Sequence, residues 1–205
     1  MNTKSTSNTF QRIAGKGLFP PNLAFTLLIP FRNVFLSPRK LIQRLELEPD
    51  AVILEVGPGP GYFSIKIAQH IPKGKLVLAD IQQEMLDFAR KRIGKKRLTN
   101  VEYHLCNGNA FPFPDKQFDT VFMVTVIGEV EHQKEYIAEF YRIMKPGGIL
   151  SFSEQAGDPD KLSINEIKAL VEGSGFEFYK LYGSERNFTI NFKKAGSDKT
   201  RPLFS

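Results

Sequence analysis

The sequence predicts an α/β protein with a doubly wound, mostly parallel sheet that closes with a C-terminal antiparallel hairpin. Short apolar runs alternate with stretches of helical spacing from Ala51 onwards, and the strand–helix order recurs five times. The first run, AVILEV, is almost continuously apolar, as in strands that are covered on both faces. Near the C-terminus, FEFYKLY and NFTINF are separated by too few residues for a crossover connection, so these two strands must be antiparallel.

Length and composition favour one domain without disulfides. The 205 residues are 41% hydrophobic and 24% charged, which suits a single domain with its own core. Cys106 is the only cysteine, no Cys/His cluster has metal-ligand spacing, and no signal peptide or membrane-spanning run is visible. We therefore expect a cytoplasmic protein. Its predicted parts are a flexible N-terminus (1–17), one domain (18–194) with a helical lid segment (18–46) and an α/β core (51–194), and a flexible basic tail (195–205).

Capping signals and periodicity define the elements. Ser37 before Pro38 indicates the start of a helix over 38–47, and Ser163 with Glu166 forms a capping box for a helix over 164–173. The other helices are predicted over 62–71, 82–93 and 135–144. The strands are predicted over 51–56, 75–80, 101–105, 118–127, 149–154, 176–182 and 187–192.

Two finer predictions concern packing and helix termination. The helix over 82–93 should bury Met85, Phe88, Ala89 and Ile93, which share one face. The motif KPGG (145–148) should form a turn that stops the preceding helix, because proline and glycine cannot continue it.

The net charge of +6 allows an anionic partner, such as a nucleic acid or a lipid surface. Much of this charge lies in one cluster, at Arg90, Lys91, Arg92, Lys95, Lys96 and Arg97. A solvated helix end explains the cluster equally well, since cations suit the C-terminal end of a helix dipole. We find no separate basic module for RNA, and the sequence argues against a nucleic-acid partner.

A glycine loop, GPGPG, follows the first strand at the place where ligands bind in open α/β sheets. Glycine lets the backbone turn sharply and approach a ligand, and the helix that follows offers free N–H groups. A dinucleotide site requires G-x-G-x-x-G, but here Tyr62 occupies the place of the third glycine. Glu55 before the loop would repel a pyrophosphate and attract a cation. The loop therefore favours a sulfonium cofactor.

Asp80 ends the second strand, 19 residues after Gly61. A carboxylate at this position can accept hydrogen bonds from both hydroxyls of a ribose. An alternative is that Asp80 caps the helix that follows, and both roles are compatible.

Four ordered motifs resemble those of class I S-adenosylmethionine-dependent methyltransferases, in the small-molecule branch that includes the ubiquinone and menaquinone methyltransferases. The motifs are ILEVGPGPGYFS, LVLADIQQEML, GNAFPFPDKQFDTVFMV and FYRIMKPGGILSFSE, and they extend from about Ala51 to Glu154. The resemblance implies a Rossmann-like fold, methyl transfer and S-adenosylmethionine as the cofactor.

The resemblance also implies roles for individual residues. Glu55 and the backbone of Val56, Gly57, Gly59 and Gly61 would face the methionine part of the cofactor. Asp80 would hold the ribose, Ile81 would pack on the adenine, and Asn109 with the Ala110 backbone would meet the adenine amino group. Thr125 and Val126 would line the passage between cofactor and acceptor.

The chain departs from the family pattern at two places. Asn109 stands where aspartate is more frequent, so we expect weaker charge assistance without loss of binding. Gly128 and Glu129 stand where the family often has a histidine pair, with His132 nearby. A base helps only where the acceptor is a hydroxyl or a thiol, and Glu129 and His132 are then the candidates. The alternative for Glu129 is a solvated loop carboxylate without a catalytic role, and the alternative for His132 is a residue at the start of a helix.

The segment NLAFTLLIPF raises the question of the acceptor. It could pack on the sheet, form a lid that contributes Phe25 or Phe31, or rest on a membrane surface through residues 18–40 with Arg32, Arg39 and Lys40 at the headgroups. Three functions remain open. They are a methyltransferase for a small-molecule or lipid-like acceptor, an RNA or protein methyltransferase, and a cofactor-binding protein without transfer activity. The acceptor and the oligomeric state do not follow from the sequence.

Overall fold

A computed structural model describes residues 36–106 and 110–196. Its centre is a seven-stranded sheet with the order β3-β2-β1-β4-β5-β7-β6. The strands are β1 Val52–Val56, β2 Lys75–Asp80, β3 Val101–Leu105, β4 Phe118–Val124, β5 Met144–Glu154, β6 Phe176–Ser184 and β7 Asn187–Lys194. β1 to β5 are parallel, and β7 pairs antiparallel with both β5 and β6. The predicted fold class is confirmed.

Five α-helices of the described residues cover the two faces of the sheet. They are α1 Pro38–Leu45, α2 Ser64–His70, α3 Gln83–Gly94, α4 Gln133–Ile143 and α5 Ile164–Val171, and a 3₁₀ turn spans Ile127–Glu129. The cap of α1 is as predicted, since the Ser37 hydroxyl accepts a hydrogen bond from Lys40 N at 3.3 Å. The capping box of α5 is also confirmed, with Ser163 and Glu166 bonded in both directions.

The core consists of two apolar layers, one on each face of the sheet. The first includes side chains of α1, α2 and α3, such as Leu41 and Ile67. The second includes side chains of α4 and α5, such as Phe140 and Ile167. This arrangement leaves the carboxyl ends of the parallel strands as a shared edge on which a site can form.

Three predictions are corrected by the structure. The described connection between β3 and β4, residues 106 and 110–117, contains no helix, so strand and helix alternate four times and not five. Phe88 is 44% exposed, and Leu86 is buried in its place beside Met85, because α3 is rotated relative to the predicted face.

The third correction concerns KPGG. The helix does end at Ile143, but Lys145–Gly148 belong to β5, where they form an irregularity in the pairing with β4 between Phe118 and Thr120. The Lys145 ammonium group donates to both oxygens of Asp119 at 2.8 Å, which anchors this irregular segment to β4.

α1 is attached to the C-terminal hairpin by side-chain hydrogen bonds. The Arg44 guanidinium donates to the Thr189 hydroxyl at 2.9 Å, and Asn191 Nδ2 donates to Arg44 O at 2.7 Å. Glu46, just after α1, accepts from Tyr179, Lys180 and Tyr182 of β6. Within the described ranges, no helix has the length and apolar character needed to cross a membrane.

Candidate active site

The candidate site lies at the carboxyl ends of β1, β2 and β4, where the strand order reverses. β1 has β2 on one side and β4 on the other, so the connections that follow β1 and β4 leave the sheet in opposite directions. Such a reversal opens a crevice above the strand ends.

The loop after β1 is folded into a conformation that favours glycine. Gly57, Gly59 and Gly61 have φ angles of 67°, 52° and 72°, in the left-handed region that costs other residues about 1–2 kcal/mol. Gly57 N donates to Ala79 O at 2.8 Å, so the loop begins tied to the end of β2. A Cβ atom on Gly57 would lie 2.5 Å from Val126 Cγ2, so any side chain there would displace Val126.

The end of β4 packs directly against this loop. Thr125 has a positive φ of 54°, and its N–H donates to Ser153 O of β5 at 2.9 Å. Val126 is half-buried and covers Gly57. The structure thus brings the two predicted passage residues to the glycine loop, although their contact with a substrate stays a prediction.

Glu55 is a buried carboxyl group beneath the loop. Only 3% of it is exposed, and its Oε2 atom accepts a hydrogen bond from the Ser64 hydroxyl of α2 at 2.6 Å. Burial and the nearby Asp80 raise the pKa of Glu55 to about 8, against the lowering effect of Ser64. A cation bound beside Glu55 would favour its ionised form.

Asp80 connects the glycine loop with the start of α3. Its Oδ1 atom accepts from Gln82 N at 3.0 Å, and the backbone N–H groups of Gly59 and Ile81 also donate to this carboxylate. Burial raises the pKa of Asp80 against these hydrogen bonds. The N-cap of α3 is Gln82, so the alternative that Asp80 is the N-cap residue is wrong. Ile81 beside it is 46% exposed, as suits a residue that packs on a ligand.

The adenine side is described in part. Asn109 lies outside the described residues, whereas Ala110 is exposed at the start of a segment held by Arg142 of α4. The Arg142 guanidinium donates to Phe111 O at 3.0 Å, Phe113 O at 2.8 Å and Asp115 Oδ1 at 2.7 Å. It also pairs with Glu139, which in turn accepts from Phe111 N at 3.2 Å.

Three other residues lie at this edge without a role predicted from the sequence: Ser64, Tyr136 and Glu154. Tyr136 is buried, and the charges of Cys106 and Asp80 add to burial in raising its pKa, so these groups are close together. Glu154 is buried at the end of β5. Only Ser64 could have been noticed from the sequence, because a serine in the first turn of the helix after the glycine loop lies near the ligand edge. Tyr136 and Glu154 depend on long-range packing.

The two catalytic candidates are exposed. Glu129 ends the 3₁₀ turn after β4, and its N–H donates to Val126 O at 3.0 Å. His132 is the N-cap residue of α4, and its Nδ1 atom lies 3.9 Å from Glu135 Oε1. The second position agrees with the alternative of a helix-start residue. A role for either residue in proton transfer stays a prediction.

Comparisons with known proteins agree with the motifs. Residues 53–148 match the methyltransferase domain family. The ubiquinone/menaquinone biosynthesis C-methyltransferase of Hydrogenovibrio crunogenus is 33% identical over 126 residues, which are 57% of this chain and 48% of that protein. The mitochondrial 2-methoxy-6-polyprenyl-1,4-benzoquinol methylase of Caenorhabditis elegans is 33% identical over 138 residues, covering 62% and 48%.

A solved structure shares the fold over most of the chain. The SAM-dependent methyltransferase of Aquifex aeolicus superposes with a TM-score of 0.81 at 24% identity, covering 87% of this chain and 100% of that one. The fold is the Rossmann-like architecture that class I methyltransferases share. Over residues 53–148 the chain resembles the class I S-adenosylmethionine-dependent methyltransferases, among them enzymes of ubiquinone biosynthesis. It spans about half the length of the curated relatives that it matches.

Proposed function

We propose that the protein is an S-adenosylmethionine-dependent methyltransferase that acts on a small-molecule or lipid-like acceptor by in-line transfer. The observation that carries this proposal is the meeting of Glu55, Asp80 and the left-handed glycine loop at one edge of the sheet. The names of the two curated relatives, a C-methyltransferase and a benzoquinol methylase, support a small acceptor.

The residues present fit this cofactor. A side chain at Gly57 would collide with Val126, Asp80 provides a carboxylate for ribose hydroxyls, and exposed Ile81 provides an apolar surface for adenine. Glu55 can balance a positive charge once a cation favours its ionised form. These groups match a nucleoside that carries a cationic chain better than they match a pyrophosphate.

The protein's part in the reaction is alignment and exclusion of water. S-adenosylmethionine supplies a methyl group that its sulfonium already activates. Asp80 would hold the ribose and Glu55 the methionine part of the cofactor, while Thr125 and Val126 would set the line of approach for the acceptor. If the acceptor is a hydroxyl or a thiol, Glu129 or His132 could take up the proton.

The test is calorimetric titration of the full chain with S-adenosylmethionine, S-adenosylhomocysteine and NAD. We expect micromolar binding of the first two ligands, no binding of NAD, and loss of binding in Asp80→Ala. The matched control is Asp87→Ala, an exposed carboxylate on α3 that pairs with Arg90. Failure of the folded wild-type protein to bind either sulfur nucleoside would refute the proposal.

Two other functions would be recognised by different experimental results. An RNA methyltransferase would bind RNA in a salt-sensitive manner. Against it, Arg90 lies over the Tyr103 ring and pairs with Asp87, and Arg92 donates to Pro60 O, so part of the basic cluster serves contacts within the protein. A cofactor-binding protein without activity would bind the nucleosides and never release S-adenosylhomocysteine with any acceptor.

A cytoplasmic location and a peripheral membrane contact through residues 18–40 are further proposals. The first rests on the lone cysteine, Cys106, which is buried and free. For the second, Phe25, Phe31 and Arg32 lie outside the described residues, whereas Arg39 and Lys40 are exposed at the start of α1. A flotation assay with liposomes tests the contact, and a protein that stays with the unbound fraction excludes it.

A further inference from the structure

Two successive buried polar side chains lie at the end of β5: Glu154, its last residue, and Gln155, the residue after it, which are 1% and 6% exposed. Among the described residues, three buried side-chain atoms have no hydrogen-bond partner: Glu154 Oε2, Gln155 Nε2 and Gln117 Oε1. Two of these three atoms therefore lie at the same strand end. Buried polar groups are nearly always paired, so this strand end offers unused hydrogen-bonding capacity.

Among residues 36–106 and 110–196, no group forms a hydrogen bond with Glu154 Oε2. Burial is the main cause that raises its pKa to about 8, and Asp158 and Glu129 add to the effect while Lys161 opposes it. The Lys161 ammonium group donates to Glu185 O at 2.6 Å and lies 5.4 Å from the centre of the Phe188 ring. Glu154 is therefore a largely neutral carboxyl group at pH 7, which can both donate and accept hydrogen bonds.

Glu154 lies on the side of the site that the acceptor should occupy. Thr125 N, at the predicted passage, donates to the carbonyl oxygen of Ser153, the residue before Glu154. The turn after β4 also packs against the loop after β5, because a Cβ atom on Gly128 would collide with Asp160 O. Glu129, a residue of that turn, is close enough to affect the pKa of Glu154.

We propose that Glu154 is a specificity-determining residue that hydrogen-bonds a hydroxyl or amino group of the methyl acceptor. This inference rests on the proposed methyltransferase function. An acceptor with such a group satisfies the carboxyl group, whereas an analogue without it leaves a buried polar group unpaired. Sites of this kind discriminate strongly against the analogue.

The test uses the full chain saturated with S-adenosylhomocysteine and two matched pairs of probes. Hydroquinone is compared with 1,4-dimethoxybenzene, and aniline with N,N-dimethylaniline, by calorimetry. We expect the wild-type protein to bind each donor-bearing probe about tenfold more tightly than its methylated counterpart, the ratio typical of one good hydrogen bond.

Glu154→Met should abolish this preference because methionine has similar length and no comparable hydrogen-bonding group. Glu154→Gln should keep much of it, since the amide can still donate and accept. Glu172→Gln, an exposed carboxyl group after α5, is the matched surface control and should behave as wild type. Affinity for S-adenosylhomocysteine should be unchanged in all three variants, which shows that each is folded.

The proposal is overturned if Glu154→Met keeps the preference, as it would if an internal water satisfied the carboxyl group. It is equally overturned if the wild-type protein binds none of the probes or does not distinguish the members of a pair. Failure of the wild-type protein to bind S-adenosylhomocysteine is a different result, and it overturns the proposed function itself.

Discussion

At the scale of single residues, Gly57 is a position where both the backbone conformation and the packing favour glycine. Its φ of 67° disfavours any L side chain, and a Cβ atom would lie 2.5 Å from Val126 Cγ2. We expect Gly57→Ala to lower the free energy of unfolding by about 2 kcal/mol, from the left-handed conformation and the collision together. Displacement of Val126 should also weaken cofactor binding at least about tenfold.

The control for this substitution is Gly94→Ala, at the end of α3. A Cβ atom on Gly94 meets nothing within 4 Å, and alanine is preferred to glycine in helices by about 0.5–1 kcal/mol. Urea unfolding and calorimetric titration measure both effects. Equal stability and affinity in the two variants would show that the loop does not have the conformation described.

Glu55 makes the stability of the protein depend on pH. Its pKa rises from an ordinary 4.5 to about 8 on folding. Between these values the unfolded chain loses the proton and the folded chain keeps it, so the free energy of unfolding falls as pH rises, by about 1.4 kcal/mol per unit of pKa difference. Above pH 8 both states are ionised and the decline ends.

We expect Glu55→Gln to flatten this decline between pH 5 and pH 8 in urea unfolding experiments. Glu154→Gln should flatten it further, because burial raises the pKa of Glu154 to about 8 as well. The exposed Glu172→Gln should give a curve parallel to that of the wild-type protein. If Glu55→Gln also gives a parallel curve, the carboxyl group of Glu55 is already ionised in the folded state.

At the scale of elements, α4 holds the segment that forms the rim of the adenine side. Arg142 and Glu139 together bond to Phe111 through both its N–H and its C=O, and Arg142 reaches Phe113 O. We expect Arg142→Met to speed hydrogen exchange of residues 110–115. Cofactor affinity should fall about tenfold, equivalent to about 1.4 kcal/mol, while global stability changes little because water can reach the freed groups.

The comparison variant is Arg90→Met, whose guanidinium pairs with exposed Asp87 at 3.0 Å and makes no contact with this segment. Surface pairs of this kind contribute little. Hydrogen exchange in residues 110–115 should therefore be faster in Arg142→Met and unchanged in Arg90→Met. An equal change in both variants would contradict the specific role of Arg142 in holding this segment.

The elements also show how far sequence reasoning extends. Helix caps, the order of the strands along the chain and the glycine loop were predictable because each depends on residues adjacent in sequence. The irregular pairing at Lys145–Gly148 was not, because it depends on Asp119 of a neighbouring strand. Phe88 was wrongly predicted to be buried, because Met85, Ala89 and Ile93 keep the predicted face and a small rotation of the helix exchanges Phe88 for Leu86 at its edge.

The candidate site divides in the same way. Glu55, Asp80 and the glycines could be assigned to this edge from the sequence, because strand ends and the loops after them mark a ligand edge. Tyr136 and Glu154 were assigned no role. A buried polar group is significant only through what surrounds it, and those neighbours come from distant parts of the chain.

At the scale of the whole molecule, Asn191 joins the two ends of the described chain. It is fully buried in β7, where Nδ2 donates to Arg44 O of α1 at 2.7 Å and Oδ1 accepts from the Ser151 hydroxyl of β5 at 2.7 Å. Both ends of the amide are therefore used. α1 and the C-terminal hairpin should consequently unfold together with the sheet as one unit.

We expect Asn191→Ala to lower the free energy of unfolding by about 2–4 kcal/mol, because it leaves a buried hydroxyl and a carbonyl group without partners. Asn187→Ala, which removes one bond to Ala156 N near the hairpin turn, should cost about 1 kcal/mol. Ser151→Ala combined with Asn191→Ala should cost less than the sum of the single changes, since the two side chains share a hydrogen bond.

The readouts for this last prediction are circular dichroism and tyrosine fluorescence in a urea titration. Tyr179 and Tyr182, two of the six tyrosines, hydrogen-bond to Glu46 just after α1, so part of the tyrosine fluorescence depends on the contact between α1 and the hairpin. The chain has no tryptophan that would mask this signal. If the circular dichroism and fluorescence curves coincide within each protein, wild-type and Asn191→Ala alike, the molecule unfolds as a single cooperative unit. An earlier fluorescence transition in the wild-type protein would show that α1 separates from the hairpin before the sheet unfolds. The bonds of Asn191 would then stabilise only a local contact, and the cost of removing them should appear in that first transition alone.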